Sequence, residues 1–305
     1  MANDFRERDI TQFGPAEEFP KLGAFEAGFT AQSEVFSIDL DGLPFDGRYR
    51  HGRTDTLFVF FSPALGHQPG RKLPIFSWVA HSRRNAGSSL ILADPVILLS
   101  KRLSLAWYLG TGTTPLQPVM LRVIRKVAAA GGARRIVFVG TSGGGFPALW
   151  LAGQFPGSAA VVNAPTTQVA RHHARDAVQR FEKVVMGGRR ITTGDWVHTL
   201  PEPGADHARS KIIITQNRDD GNFIDHHLRP YLRDRGIEWT GADIVTDNLL
   251  VRLGDPGLWG QGHVMPPAPV TRTILDSLDF TEGDGFAGLD LAALHQRLVG
   301  MEAGD

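Results

Sequence analysis

Six short, nearly uninterrupted apolar runs punctuate this chain. They are LFVFF (Leu57–Phe61), LPIFSWVAH (Leu73–His81), IVFV (Ile136–Val139), SAAVVN (Ser158–Asn163), KIIITQ (Lys211–Gln216) and NLLVRLG (Asn248–Gly254). Runs this short suit strands, and their lack of alternation means that both strand faces are covered. Between and after them lie stretches with helical spacing: PLQPVMLRVIRKVAAA before Gly131-Gly132, Phe146–Gln154, Phe223–Arg235 and APVTRTILDSLDF. Strands alternating with helices predict an α/β fold: a mostly parallel sheet with helices on both faces.

The flanking segments are less regular. SEVFSIDL (Ser33–Leu40) alternates as a half-buried strand does, and FDGRYRHG follows as its hairpin partner. The first thirty or so residues read as an extended arm or edge strand. Asp94–Gly110 reads as a helix with Asp94 as N-cap and Pro95 in its first turn. The tail LDLAALHQRLVG reads as a short amphipathic helix. The polar stretch 164–210 separates two strands and has helical spacing but no strand of its own. It is expected to be a cap or lid inserted in one domain spanning 1–305.

Composition narrows the function classes. The 305 residues carry 32 Lys+Arg against 32 Asp+Glu, so no net charge draws the chain to a polyanion, and nucleic acid is not an expected partner. There is no cysteine, which excludes disulfides, thiolate metal sites and a thiol nucleophile. The N-terminus is polar, without the apolar core of a signal peptide, and no stretch is long enough to span a bilayer. A cytoplasmic location is the resulting expectation.

The strand Ile136–Val139 ends in Gly140-Thr141-Ser142-Gly143-Gly144, and a helix-like FPALWLA follows. This Gly-x-Ser-x-Gly pattern needs small residues where a sharp strand-to-helix turn packs chain against chain. The turn lifts the serine hydroxyl out of the sheet. The helix behind it offers free N–H groups and a positive dipole end to a developing negative charge. A phosphate-cradling loop is the rival reading. The turn lacks a P-loop lysine, and VVNAP stands where a dinucleotide site places an acidic residue.

Together, from about Ser33 to Phe280, the element order and the elbow resemble the α/β-hydrolase superfamily. The resemblance implies a chain order of nucleophile, acid, base, with Ser142 as nucleophile. After KIIITQ comes NRDD, where Asp219 fits the acid by spacing, Asp220 is its nearest rival and Asp255 a more distant one. WGQGHVMPP, after the last strand, places His263 where the family carries its base. His226 and His227 are rivals on an earlier helix. The oxyanion hole would use the N–H of Gly143 and, from FFSPAL, that of Ala64, since Pro63 has none. Many family members carry His-Gly at that second place.

LFVFFSPAL, ADPVILL, LAWYLGT, VGTSGGGFPALWLA and VVNAPTT are also similar to a bacterial branch associated with surface polysaccharides, some of whose members are glycan O-acetyltransferases. The resemblance thus implies a serine esterase acting on a small-molecule or glycan acyl ester through an acyl-serine. Its alternatives are an O-acetyltransferase using the same triad, or a non-catalytic hydrolase-like binding module. Trp107 and Tyr108 read as packing residues. No cofactor or metal is expected. Adjacent histidines on a helix point to different faces, which speaks against chelation by His226-His227 or by His172-His173, though the latter pair could touch substrate.

Overall fold

Along Thr54–Phe61 the side chains divide by parity. Leu57, Val59 and Phe61 join one apolar cluster, Phe58 and Phe60 the other, and none is exposed. A strand sends alternate side chains to opposite faces, so this one is buried on both. The computed structural model describes residues 4–66, 70–191, 209–283 and 285–303, and it sets this strand, β4, inside a ten-stranded sheet. The other strands are β1 (Ala16–Phe19), β2 (Val35–Leu40), β3 (Leu43–Arg50), β5 (Gly87–Leu92), β6 (Arg135–Thr141), β7 (Ala159–Asn163), β8 (Lys211–Asn217), β9 (Ile244–Val245) and β10 (Leu249–Gly254).

The strand order is β1-β2-β3-β5-β4-β6-β7-β8-β10-β9. From β5 through β10 neighbours run parallel; β3 is antiparallel to β2 and β5, and β9 to β10. The helices are α1 (Leu22–Gly28), α2 (Val79–Arg84), α3 (Leu116–Ala130), α4 (Gly145–Gln154), α5 (Arg175–Val185), α6 (Gly221–Phe223), α7 (Arg229–Arg233), α8 (Pro256–Trp259), α9 (Ala268–Asp279) and α10 (Leu291–Ala303). A π-helical turn, Ile224–Leu228, joins α6 to α7. One face is covered by α1, α3, α4 and α5, through Phe25, Ile124, Leu149 and Phe181 among others. The other is covered by α9 and α10, through Ile274, Leu278, Leu294 and Leu298. This is the α/β-hydrolase architecture.

Helix α3 shows the local logic. Leu116, Met120, Val123, Ile124 and Val127 are buried at helical spacing. Gly131 N–H caps the carbonyl of Val127 at 2.9 Å, and Gly132 then turns away at φ 68°.

Three expectations need correction. Leu73–His81 is not a strand. Leu73 makes one bridge to Arg8, and the segment runs irregularly into α2. The sheet uses GSSLIL (β5) instead, where two serines mask the apolar pattern. Both are buried and bonded: Ser88 Oγ accepts from Gly52 N–H at 3.0 Å, and Ser89 Oγ donates to the carbonyl of Ser82 at 3.3 Å. Second, Asp94 does cap, accepting from Val96 N–H at 3.1 Å, but only a 3-10 turn follows, Pro95–Leu99. Its other oxygen accepts from Tyr108 N–H at 2.7 Å, folding the rest back as a loop. Third, the N-terminal arm is more ordered than expected. It carries a 3-10 turn (Ile10–Phe13), α1 and the edge strand β1, parallel to β2.

In the expected cap, residues 164–191 hold a 3-10 turn (Val169–Arg171) and α5, which buries Val178 and Phe181. The remainder of that expectation, 192–208, lies outside the described residues.

The elbow is packed so tightly that substitutions report on it. A Cβ on Gly140 would overlap the backbone carbonyl of Gly144, which no side-chain rotation relieves. Gly140→Ala is expected to cost about 2 kcal/mol or more of unfolding free energy in urea titrations. Gly23→Ala, at a helical site with nothing within 4 Å, should instead be neutral or mildly stabilising.

Candidate active site

Strand β6 ends at Thr141, a 3-10 turn covers Ser142–Gly144, and α4 begins at Gly145. Ser142 sits at φ 51°, in the left-handed region that a non-glycine residue occupies only under constraint. The constraint comes from β4. A Cβ on Gly144 would lie 2.6 Å from the carbonyl oxygen of Phe61 and 2.7 Å from that of Ser62. The turn therefore rests directly on the end of β4. From the other side, Thr166 N–H holds the Ser142 carbonyl at 2.9 Å. Ser142 is 9 % exposed at the rim of the sheet.

His263 lies on the loop after β10 and α8. Its Nδ1 is 2.7 Å from Asp220 Oδ2. A neutral imidazole that faces a carboxylate oxygen through Nδ1 donates its proton there, which leaves the lone pair on Nε2. Asp220 is 6 % exposed, and its Oδ1 accepts from Phe223 N–H at 3.4 Å, so it also caps α6. The carboxylate on His263 is thus Asp220, one residue beyond the Asp219 that spacing favours. After β8 the chain makes a tight turn, Asp220 N–H donating to the carbonyl of Asn217 at 3.3 Å, which sends Asp220 inward and Asp219 outward. Asp219 accepts instead from Gly262 N–H at 2.9 Å, bracing the loop that carries His263. Asp255 caps α8 through Gly257 N–H at 2.7 Å. His263 is 39 % exposed and stacks on Phe223 with ring centroids 4.1 Å apart.

Asn163, at the end of β7, is a linking residue that sequence reading passed over. Its Nδ2 donates to Thr141 Oγ1 at 3.0 Å and to the carbonyl of Val264 at 3.2 Å; its Oδ1 accepts from Thr215 Oγ1 at 3.1 Å. Thr141 Oγ1 also approaches Met265 Sδ at 2.8 Å. The residue before Ser142 is thereby tied to the residues just after His263. The only sequence signal was a polar residue closing the apolar run SAAVV.

Ala64 lies beyond the end of β4. Ser62 N–H donates to Tyr108 Oη at 2.8 Å, Leu65 N–H to the carbonyl of Ser104 at 2.7 Å, and Pro63 has no N–H. Among the described residues the Ala64 N–H has no backbone hydrogen-bond partner. Tyr108 Oη also donates to the carbonyl of Leu92 at 2.9 Å. Trp107 and Tyr108 are fully buried, as expected of packing residues, and both have positive φ, 51° and 57°. Burial raises the Asp94 pKa to about 6, against the pull of its bonds from Tyr108 and Val96 N–H. Burial also raises the Tyr108 phenol, which keeps its proton to donate. An apolar cleft beside the elbow is lined by Pro63, Leu65, Ile75, Leu105 and Ala106.

The two histidine pairs behave differently. His226 and His227 diverge as expected, one exposed and one buried. His172 and His173 lie just off a 3-10 turn, not within a helix, and their rings stack at 4.5 Å. With His227 they form a cluster in which one ring nitrogen of each lies within 4.8 Å of the others.

No family model and no curated protein matched the chain in sequence. Solved structures did match in shape. The capsule O-acetyltransferase of Neisseria meningitidis serogroup A aligns with a TM-score of 0.53 at 15 % identity, over 80 % of this chain and 96 % of that one. The acylaminoacyl peptidase of Pyrococcus horikoshii aligns with a TM-score of 0.53 at 16 % identity, over 89 % of this chain but only 45 % of the peptidase. Mycobacterium tuberculosis MPT51 gives 0.50 at 14 % identity, over 77 % and 92 %. These likenesses establish the fold: the chain is built as an α/β-hydrolase. Among the described residues no helix is long and apolar enough to cross a membrane.

Tyr108→Phe tests the support behind Ala64. It removes the partner of two backbone groups, Ser62 N–H and the Leu92 carbonyl, at a fully buried position. A loss of at least about 2 kcal/mol is expected in equilibrium unfolding, more than a lone exposed hydroxyl would give.

Proposed function

We propose that this chain is a serine hydrolase of carboxylesterase type, working through an acyl-serine at Ser142. The observation that carries the reading is the backbone of Ser142, held at φ 51° on a strand-to-helix turn. Strain of about 1–3 kcal/mol at one residue persists where surrounding packing enforces it, and it clusters at functional sites. The second support is His263, whose Nδ1 is engaged by buried Asp220 so that Nε2 is free to accept a proton.

In this reading Ser142 Oγ attacks the ester carbonyl carbon as His263 Nε2 takes the hydroxyl proton. The negative charge on the carbonyl oxygen is met by the N–H groups of Gly143 and Ala64. The C–O bond to the alcohol breaks, and that oxygen leaves with the proton from His263. Water then attacks the acyl-serine carbonyl carbon and gives a proton to His263; the bond from that carbon to Ser142 Oγ breaks, His263 returns the proton to Oγ, and the acid leaves. Asp220, not Asp219, holds the imidazole in its tautomer and stabilises its charged form. Residues 164–191 are read as part of a cap over this site, and the cleft at Leu65, Ile75 and Leu105 as the seat of the acyl chain.

A second reading is acyl transfer, in which a hydroxyl of an acceptor molecule replaces the water. It is favoured by the alignment with the capsule O-acetyltransferase, which covers nearly the whole of that protein. Product analysis separates the two: transfer leaves the acyl group on the acceptor, hydrolysis as free acid.

A fluorophosphonate should label the wild-type chain at Ser142, and Ser142→Ala should keep the fold and abolish both labelling and esterase turnover. Undiminished turnover by that variant would exclude Ser142 from the chemistry. Between the carboxylates, Asp220→Asn is expected to lower kcat by about 10⁴-fold, the scale of a triad acid. Asp219→Asn, which loosens one loop contact, should cost less than about 10-fold. The reverse ranking would restore Asp219.

A further inference from the structure

Three histidines outside the Ser142–His263–Asp220 set gather around Phe223. His172 and His227 are 4 % and 1 % exposed, and His173 is half-buried. One ring nitrogen of each is buried with no hydrogen-bond partner among the described residues: Nε2 of His172, Nδ1 of His173 and Nε2 of His227. Three neutral imidazoles at close range first suggest a zinc-type centre.

The remaining nitrogens argue against it. Ala174 N–H donates to His172 Nδ1 at 3.2 Å, and Thr167 N–H donates to His227 Nδ1 at 3.3 Å. A backbone amide can only donate, so both Nδ1 atoms present lone pairs and the neutral rings carry their protons on Nε2. Burial keeps the rings neutral, lowering the pKa of His172 to about 3 and of His227 to about 2. A metal would need lone pairs where these two rings hold protons.

The surroundings connect the cluster to the site above. Phe223 packs on His173 at 4.7 Å and on His227 at 5.1 Å, and it also stacks on His263 at 4.1 Å. Trp107 lies edge-on to His172 at 5.4 Å, and its own Nε1–H is buried without a partner among the described residues. The group thus combines uncharged N–H donors with aromatic walls, one ring away from the proposed base. The cleft at Leu65, Ile75 and Leu105 is mostly apolar and suits an acyl chain for that reason.

We propose that His172 and His227 form a donor subsite for an uncharged acceptor oxygen, a hydroxyl or ether oxygen in the alcohol portion of a polyol ester. The inference rests on the acyl-serine reading of Ser142. Donor-only, uncharged groups match an oxygen that carries lone pairs and no charge. His173, stacked on His172 and half-buried, is the outer ring that such a ligand displaces.

The first test reads the tautomers directly, by long-range ¹H–¹⁵N correlation of the histidine rings in the wild-type protein. Both His172 and His227 are expected to carry the proton on Nε2. Protonation on Nδ1 of either, or stoichiometric Zn²⁺ uptake, would overturn the proposal in favour of a metal. The second test uses His172→Asn and His227→Asn, which keep an acceptor near the former Nδ1 and delete the Nε2 donor. On a mono-acetylated methyl glucoside, kcat/KM should fall by about 10-fold, while on p-nitrophenyl acetate it changes by less than about 2-fold. Equal loss on both esters, or an unchanged ratio, would overturn the subsite. Wild-type inertness toward p-nitrophenyl acetate would count against the Ser142 reading instead, and the tautomer measurement would still decide the subsite.

Discussion

The close contact between the end of β4 and the turn after β6 governs this molecule. Gly144 lies against the carbonyls of Phe61 and Ser62 with no room for a side chain. That approach forces the sharp exit from β6 and holds Ser142 in the left-handed region. The same contact brings the Ser62–Leu65 loop beside the serine. One packing constraint therefore sets both the backbone of Ser142 and the place where the chain leaves β4.

A second layer holds the far-sequence partners. Asn163 joins the ends of β6, β7 and β8 to the loop of His263, while Asp220 and Asp219 grip that loop from the end of β8. The two adjacent carboxylates divide the work by direction. The inward one pairs with the imidazole, and the outward one holds the backbone beside it. On the other flank, Asp94 and Tyr108 fix the loop before α2, using two left-handed residues to do so. Buried polar side chains thus hold the loops, while the sheet supplies a fixed base.

Much of this was legible in the sequence because it depends on local pattern. Continuous apolar runs marked β4, β6, β7, β8 and β10, and glycines around Ser142 marked the elbow. What escaped depends on contacts between distant segments. Strand β5 was hidden because Ser88 and Ser89 find partners on Gly52 and Ser82, which no local pattern announces. Asp94–Gly110 read as a helix because its apolar spacing is real, but Asp94 bonds Tyr108 and folds the segment back. Asp219 and Asp220 differ by one position, and only the direction of the turn separates them. The histidine cluster was missed because helical geometry was assumed for His172 and His173, which lie outside a helix.

The most direct measurement is an experimental structure of the chain after reaction with a small phosphonate ester. The account predicts phosphorus bonded to Ser142 Oγ and a phosphoryl oxygen within about 3.1 Å of the N–H groups of Gly143 and Ala64. It also predicts His263 Nε2 within about 3.2 Å of Ser142 Oγ, with Asp220 still on Nδ1. An adduct on another residue, or His263 turned away with Asp219 as its partner, would contradict it.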